Sequence, residues 1–201
     1  MSVGSGMQDR PRARPGRPRS EEVRLAVLRA TSELMLEVGL RAMTTEAIAA
    51  RSGASKATIY KWWPNKHAVA IEAFLSAMSA ESADPDTGSA REDFRRALRG
   101  MMRFYASPGG RVFAQLVGEA QFDPQVAAEL RDRLVGSRRR LVRVIWDRGA
   151  ARGELRPDVD PEAAIDLVFG PAMYRLLAGH APLDDAAADA IVDVAMGGLT
   201  C

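Results

Sequence analysis

Apolar residues recur every three or four positions along most of the chain, which is the spacing of an amphipathic α-helix. The first clear stripe consists of Val23, Val27, Ala30, Leu34 and Val38. Ser20 precedes the stripe as an expected N-cap, two glutamates follow it, and Gly39 is the expected C-cap glycine. The pattern therefore predicts a first helix from about Glu21 to Val38.

Two short helices are predicted next, with a tight turn between them. Thr44 or Thr45 caps the segment TEAIAARS, and Gly53 ends it. Ser55 then caps SKATIYKWW, which must end before Pro64 because the residue before a proline disfavours helical geometry. This arrangement is typical of a helix-turn-helix motif.

The rest of the chain predicts longer helices. Their expected spans are 66–82, 91–106, 111–122, 124–153, 161–178 and 183–196. Asp123 and Pro124 supply an N-cap and a preset first turn, whereas the SPGG run at 107–110 is expected to end a helix. Gly170 and Pro171 fall inside one span and predict a kink there. The sequence thus predicts an all-α fold.

The helix-turn-helix segment carries side chains suited to nucleic acid. Ile48, Ala49 and Ile59 are spaced to pack inward, and Gly53 permits the turn. The outer face of the second helix keeps the polar residues Ser55, Lys56, Thr58, Tyr60 and Lys61. Hydroxyl and ammonium groups of this kind donate hydrogen bonds to phosphates and base edges.

Charge is distributed unevenly along the 201 residues, although the formal net charge is only +2. Residues 1–67 hold twelve Lys and Arg against six Asp and Glu, and residues 68–201 hold sixteen against twenty. A basic N-terminal third attached to a mildly acidic remainder is typical of a small nucleic-acid-binding module joined to a second domain. Residues 1–19, rich in Arg, Pro and Gly, predict a disordered basic arm. The expected domains are this arm, a DNA-binding domain over 20–66 and a helical domain over 67–201.

Composition narrows the class of protein further. With 47% hydrophobic and 27% charged residues, the chain has the make-up of a globular protein. Its one cysteine is Cys201, so no disulfide forms within the chain, and this suits a reducing compartment. No run approaches the roughly 18 apolar residues of a membrane span, and the arginine-rich start lacks a signal peptide's apolar stretch. We therefore expect a cytoplasmic protein with no membrane partner.

The sequence gives little indication of catalysis or of a bound cofactor. The two histidines, His67 and His180, lack metal-ligand spacing. The sequence contains no phosphate-binding glycine loop, nucleophile elbow or Cys-His pair. We expect no enzymatic activity, no metal and no cofactor.

The run AIAARSGASKATIYKWWPNKHAV and the preceding VRLAVLRATSELMLEVGL resemble the DNA-binding region of the TetR family of bacterial transcription regulators. The later run GELRPDVDPEAAIDLVFGPAMYRLL is similar to the family's C-terminal region. The family usually has His-Phe where this sequence has Trp62 and Trp63, so two aromatic side chains are kept. The resemblance implies an N-terminal three-helix helix-turn-helix domain for DNA binding. It also implies a C-terminal helical domain for effector binding and dimerisation.

The resemblance assigns DNA-binding roles to individual residues. The residues implied to hold phosphates are Thr45, Ser55, Tyr60 and Lys66. The residues implied to face base edges are Lys56, Ala57 and Lys61, and Thr58 is a further candidate on the same helix. The arm from Arg12 to Arg19, including Arg17, is expected to enter the neighbouring minor groove. A solvated helix face is the alternative for Lys61 and Lys66, and packing is the expected role of the two tryptophans.

The larger domain offers two further candidate sites. An aromatic-lined cavity is expected from Met101, Phe104, Tyr105, Phe113, Trp146, Phe169, Met173 and Tyr174. Ordinary core packing is the alternative for any one of them. In the family the last two helices form a four-helix dimer interface, which implies contacts from Ala172, Leu176, Leu177, Ile191, Val192 and Ala195.

Two classes of function follow. The first is a homodimeric regulator, expected to be a repressor, that binds a palindromic double-stranded DNA operator and is released by a small apolar effector. The second is a helical scaffold that keeps the fold without reading an operator and binds a lipid or a protein. The basic arm and the lysine-bearing helix favour the first class.

Overall fold

The computed structural model describes residues 17–78 and 85–200, and most of this part of the chain is helical. The helices are α1 (Arg17–Glu37), α2 (Gly39–Ala42), α3 (Thr45–Ser52), α4 (Lys56–Trp62), α5 (Lys66–Met78), α6 (Ala90–Ala106), α7 (Pro108–Glu119), α8 (Pro124–Glu129), α9 (Gly136–Ala151), α10 (Pro161–Ala178) and α11 (Asp185–Leu199). A π-helical turn, Leu130–Val135, joins α8 to α9. Extended pairing in the described residues is limited to one isolated bridge between Leu155 and Thr200. The predicted all-α fold is confirmed.

The first helix begins earlier than the sequence pattern predicts. α1 starts at Arg17, so Ser20 lies inside the helix and its prediction as the N-cap was wrong. Pro18 is compatible with this start, because a proline in the first helical turn lacks only an N–H that has no intrahelical partner there. Residues 1–16 of the predicted arm lie outside the described residues.

A four-residue helix, α2, follows α1 where the pattern predicts only a turn. Gly39 terminates α1 as expected, with φ +79°, a left-handed conformation that favours glycine. The next residues then continue as a helical turn whose Leu40 side chain is 2% exposed. Burial of this leucine anchors α2 against the larger domain, since α2 packs on α7.

The N-terminal core forms where α1 packs on α3 and α5. Val27, Ile48 and Ile59 are each at most 1% exposed, as the inward spacing in the helix-turn-helix segment predicts. Arg51 donates from both Nη atoms to the Glu37 carboxylate, each at 2.7 Å, and this ties α3 to the end of α1. The packing leaves the outer face of α4 open to solvent.

In the larger domain α6 is the central helix and packs on α7, α9, α10 and α11. Phe94, Leu98 and Met102 recur at helical spacing on its buried face, and each is 0% exposed. These residues form the buried side of the helix that the sequence predicts over 91–106.

The SPGG run begins α7 rather than only ending α6. The Ser107 hydroxyl accepts a hydrogen bond from the Gly109 N–H at 3.1 Å, and Pro108 occupies the first helical position. The helix predicted over 111–122 therefore starts and ends three residues earlier. Gly110 lets the two helices meet closely, because a Cβ there would lie 2.1 Å from the Tyr105 carbonyl oxygen.

The remaining helices follow the predicted order. α10 spans Pro161–Ala178, as predicted. The segment predicted over 124–153 forms as α8, the π-helical turn and α9, and it ends at Ala151. α11 begins two residues later than predicted, because the Asp184 side chain accepts a hydrogen bond from the Ala187 N–H at 2.8 Å and caps it. Within residues 17–78 and 85–200, no helix is both long enough and apolar enough to cross a membrane.

Candidate nucleic-acid interface and interior cavity

The turn between α3 and α4 is built from three local signals. The Thr44 hydroxyl caps α3 by accepting a hydrogen bond from the Ala47 N–H at 3.1 Å. Gly53 ends α3 at φ +72°. The Ser55 hydroxyl then caps α4 by accepting from the Thr58 N–H at 3.1 Å. These contacts hold the two short helices in helix-turn-helix geometry, as the sequence predicts.

The outer face of α4 carries most of the residues that the family resemblance assigns to DNA. Exposed side chains on or beside it are those of Ser55, Lys56, Ala57, Tyr60 and Lys61, and Thr58 is half-buried. Lys56 Nζ donates to Glu46 Oε1 of α3 at 2.8 Å. This hydrogen bond raises the pKa of the Lys56 ammonium and lowers the pKa of the Glu46 carboxyl. A DNA group at Lys56 would therefore compete with a neighbouring carboxylate.

Two residues expected to hold phosphates are turned toward the protein instead. Thr45 is 8% exposed, so Thr44 rather than Thr45 presents its hydroxyl at the start of α3. Lys66 Nζ donates to three backbone carbonyl oxygens. The N–O distances are 3.2 Å to Leu40, 3.1 Å to Arg41 and 3.2 Å to Met43. Lys66 thus satisfies carbonyl groups at and after α2, and its three N–H donors are occupied.

The other expected DNA contacts fall at the start of the chain. Arg12 lies outside the described residues. Arg17 and Arg19 lie in the first turn of α1, and their side chains are outside what the structure describes. The minor-groove role of this arm remains a prediction.

The two tryptophans after the tyrosine serve packing, as predicted. Trp63 is 3% exposed, and its indole N–H donates to Glu72 Oε2 at 3.0 Å. Trp62 is half-buried and meets Trp63 edge to face, with 5.5 Å between ring centroids. The pair fixes the end of α4 against α5.

An interior cavity of about 460 Å³ lies among α5, α6, α7, α9 and α10. The predicted residues that line it are Met101, Phe104, Tyr105, Phe113 and Phe169. Phe113 stacks on Tyr105 with 5.5 Å between ring centroids and on Phe74 with 5.9 Å. Phe74 comes from α5 and was missed, because the sequence shows it only as part of an ordinary apolar stripe. The cavity wall therefore includes a helix that also packs on the DNA-binding core.

Three residues predicted for the cavity lie elsewhere. Trp146 is 4% exposed and belongs to the core. Its neighbour Ile145 lines the cavity from α9. Because successive residues of a helix point about 100° apart, Trp146 faces away from the cavity lining. Met173 is half-buried on α10, outside the cavity lining. Tyr174 is 64% exposed, and its ring centroid is 4.6 Å from that of His180.

Arginines line the cavity together with its apolar side chains. They are Arg96, Arg99, Arg103 and Arg138, and none of the four is buried. Arg96, Arg99 and Arg103 follow one another at intervals of three and four residues in the RRALRGMMR run. This spacing places them on one side of α6. Burial raises the pKa of the Tyr105 hydroxyl well above its ordinary value, and the positive charge of Arg138 opposes part of this shift.

α10 and α11 pack on each other, and each carries large apolar side chains that are exposed. We group these side chains as the exposed face of α10 and α11. Leu167, Tyr174 and Leu177 on α10 are each more than half exposed, and Val194 on α11 is 82% exposed. Exposed apolar groups clustered on neighbouring helices are typical of a surface that another protein covers.

Only part of the predicted dimer set belongs to this face. Leu177 does, and Leu176 and Ile191 are half-buried. The other three are buried within the protomer, with exposures of 0% for Ala172, 0% for Val192 and 4% for Ala195. These three are reassigned to the protomer's own core, where α10 and α11 pack on α6.

The sequence matches known families over both parts of this architecture. Residues 27–73 match the bacterial regulatory proteins of the tetR family, and residues 84–195 match the tetracyclin repressor-like C-terminal domain. The chain belongs to the TetR family. The first match covers the helix-turn-helix region, and the second covers most of the C-terminal helical domain.

Relatives of this TetR-family chain are similar along most of its length. The uncharacterized HTH-type transcriptional regulator YdeS of Bacillus subtilis is 43% identical over 162 residues, covering 81% of this chain and 82% of the relative. The DNA-binding transcriptional repressor TetR of Mycobacteroides abscessus is 31% identical over 178 residues, covering 87% and 92%. The crystal structure of the TetR family transcription regulator SCO0332 has a TM-score of 0.77 at 38% identity, covering 90% of this chain and 99% of that one. The protein is a helix-turn-helix transcriptional regulator and not an enzyme.

Proposed function

We propose that this TetR-family regulator is a ligand-responsive repressor that binds a palindromic operator as a homodimer and leaves it when a small molecule fills the cavity. The observation that carries the proposal is that α5 and α7 both form the cavity wall and both hold α2. Phe74 and Phe113 line the cavity from these two helices. Lys66 and Gln115, from the same two helices, hydrogen-bond to the α2 backbone. A ligand that displaces either helix therefore acts on α2, which directly precedes the helix-turn-helix pair in the chain.

The outer face of α4 is the expected DNA-reading surface. Lys56, Tyr60 and Lys61 are exposed along it, and Ala57 leaves room for close approach. An α-helix fits the major groove of B-DNA, where lysine reaches guanine acceptors and hydroxyl groups reach phosphates. Lys66 and Thr45 are left out of this surface, because Lys66 Nζ donates to backbone carbonyl oxygens and Thr45 is buried.

The exposed face of α10 and α11 is the expected dimer contact. A two-fold axis brings the same patch of both protomers together, so Leu177 and Val194 would be covered on both. The two α4 helices would then meet successive major-groove faces about 34 Å apart, which calls for a palindromic site. The proposed palindromic operator therefore follows from the proposed two-fold dimer.

Release of the operator requires the ligand to prefer the conformation that does not bind DNA. To move that equilibrium from 1:99 to 99:1, the difference in affinity must be about 5.5 kcal/mol. A cavity of about 460 Å³ is within the usual size range for small-molecule sites. Weakly binding ligands would give only partial release.

The test is fluorescence anisotropy on genomic fragments selected by the protein, at two salt concentrations. Lys56→Ala and Tyr60→Ala should weaken binding while the dimer and the helical content stay intact. Arg111→Ala, which removes an exposed cation from α7, is the control and should leave affinity unchanged. Wild-type affinity in both α4 variants would contradict the proposed surface. Failure to select any fragment at low salt would favour the scaffold function instead.

A further inference from the structure

We infer that the effector is an amphipathic anion. Its apolar or aromatic body lies on the buried floor of the cavity, and one carboxylate, sulfonate or phosphate group lies among arginines at the mouth. This inference rests on the proposed function, because it names the ligand class of the same cavity. It replaces the expectation of a small, mainly apolar effector.

The floor of the cavity is buried and mostly apolar. Tyr105, Phe113, Ile145 and Phe169 all line it and are each less than a tenth exposed. Phe113 is stacked between Phe74 and Tyr105, so the floor is held in shape by aromatic contacts. Such a floor favours an apolar body, because binding there removes apolar surface from water.

The mouth of the cavity is lined by arginines. Arg96 and Arg103 line the cavity with side chains that are 59% and 62% exposed, so they lie at its open side. Arg99, which Asp189 of α11 holds, and Arg138 complete the basic lining. The lining residues within the described part of the chain include no Asp or Glu. Guanidinium groups at the opening and apolar surface below it match a ligand with one anionic end.

The two exposed arginines keep donors for an anion although carboxylates outside the cavity pair with them. In hydrogen bonds among the described residues, Arg96 donates to Glu92 through Nε alone, at 2.9 Å. Arg103 donates to Asp185 through Nη1 alone, at 2.9 and 3.0 Å. A guanidinium carries five N–H donors in a planar fork that suits carboxylate and phosphate groups. Both side chains can therefore add an anionic ligand without losing their present partners.

Two naphthalene probes test the inference because they share one aromatic body. 8-Anilinonaphthalene-1-sulfonate carries a sulfonate, and N-phenyl-1-naphthylamine lacks it. In fluorescence titrations of the full chain, we expect the sulfonate to bind about tenfold more tightly or better, as charge-assisted hydrogen bonds allow. Decanoate should displace it, decanol should do so weakly, and decyltrimethylammonium should not.

Variants of the arginines at the mouth test whether these residues cause the preference for the sulfonate probe. Arg96→Gln combined with Arg103→Gln should remove most of the preference for the sulfonate and leave the affinity of the uncharged probe unchanged. Arg140→Gln is the matched control, since Arg140 is an exposed arginine of α9 outside the cavity lining. Gly100→Leu fills part of the cavity, because Gly100 lines it and open space lies beside it. This variant should weaken both probes and so locate their binding.

Equal affinity for the two probes, or a preference that survives the double variant, would overturn the inference. So would probe binding that Gly100→Leu leaves unchanged. Absence of binding by both probes, together with no effect of decanoate on the melting temperature, would overturn it as well. The proposed function fails in a different way: the anionic preference would remain, while decanoate and every other ligand left operator affinity unchanged.

Discussion

The Gln115 side chain reaches from α7 to α2, where its Oε1 atom accepts a hydrogen bond from the Leu40 backbone N–H at 2.7 Å. Phe113, two residues earlier on α7, lines the cavity, so one helix contacts both the ligand site and the DNA-binding domain. Gly39 permits the approach, because a Cβ at that position would lie 3.1 Å from the same Oε1 atom. A shift of α7 therefore acts on α2 directly.

Gln115→Ala should weaken the link between the cavity and DNA. The variant leaves the part-buried Leu40 N–H without its partner, which costs about 1–3 kcal/mol of unfolding free energy. Amide hydrogen exchange should become faster at Leu40, and more ligand should be needed to release the operator. Gln121→Ala, at an exposed glutamine beyond the end of α7, should change neither. If ligand lowers operator affinity by the same factor in Gln115→Ala and wild type, this hydrogen bond does not carry the coupling.

Lys66 and Lys61 should respond differently to the same substitution. Lys66→Met removes three hydrogen bonds to backbone carbonyls around α2, so we expect a loss of about 2 kcal/mol in unfolding free energy. Its DNA affinity should fall with an unchanged salt dependence. Lys61→Met removes an exposed cation of α4, so stability should hold while the salt slope drops by about one unit. An equal drop in slope for Lys66→Met would restore it as a phosphate contact.

Local signals made the helix-turn-helix predictable. Thr44, Gly53 and Ser55 act within a few residues of their own positions, through caps and a left-handed turn, so the sequence pattern contains them. The inward spacing of Ile48 and Ile59 is likewise a property of their own helices.

Contacts between distant segments were not predictable in the same way. The family resemblance implies a phosphate contact for Lys66, and nothing in its neighbourhood along the chain reveals that α2 brings carbonyl oxygens to it. Phe74 joins the cavity only through the packing of α5. Trp146 was assigned to the cavity on residue type, whereas Ile145 lines it and Trp146 belongs to the core. Residue type identifies the helix, but the rotation of that helix decides which side chain lines the cavity.

Gly110→Ala should destabilise the fold beside the cavity. The added Cβ would lie 2.1 Å from the Tyr105 carbonyl oxygen, and backbone atoms cannot yield as a flexible side chain does. Overpacking of this kind costs about 1–3 kcal/mol or more in unfolding free energy, measurable by urea denaturation. Gly118→Ala on the same helix is the control, since open space surrounds it. It should raise stability by up to about 1 kcal/mol, so equal effects of the two variants would contradict the close approach.

A charge on the exposed face of α10 and α11 should separate the protomers. Leu177→Glu and Val194→Glu each put a carboxylate on a surface that is exposed in the protomer but covered in the proposed dimer. Analytical ultracentrifugation should show monomers, and operator affinity should fall because a single half-site then binds alone. Leu36→Glu, at a leucine of α1 that is 54% exposed, is the control for added charge and should remain dimeric. A soluble Leu177→Glu dimer with full operator affinity would refute this interface.

Val192→Ala distinguishes the dimer face from the protomer core on the same helix. Val192 is 0% exposed, so its truncation removes apolar contacts between α11 and the protomer and should lower the unfolding free energy by about 2 kcal/mol. Because its side chain does not reach the exposed face, the dimer dissociation constant should stay as in wild type. Sedimentation at several protein concentrations and urea denaturation measure the two quantities separately. If Val192→Ala weakens the dimer as strongly as Val194→Glu, the two faces of α11 have been assigned the wrong way round.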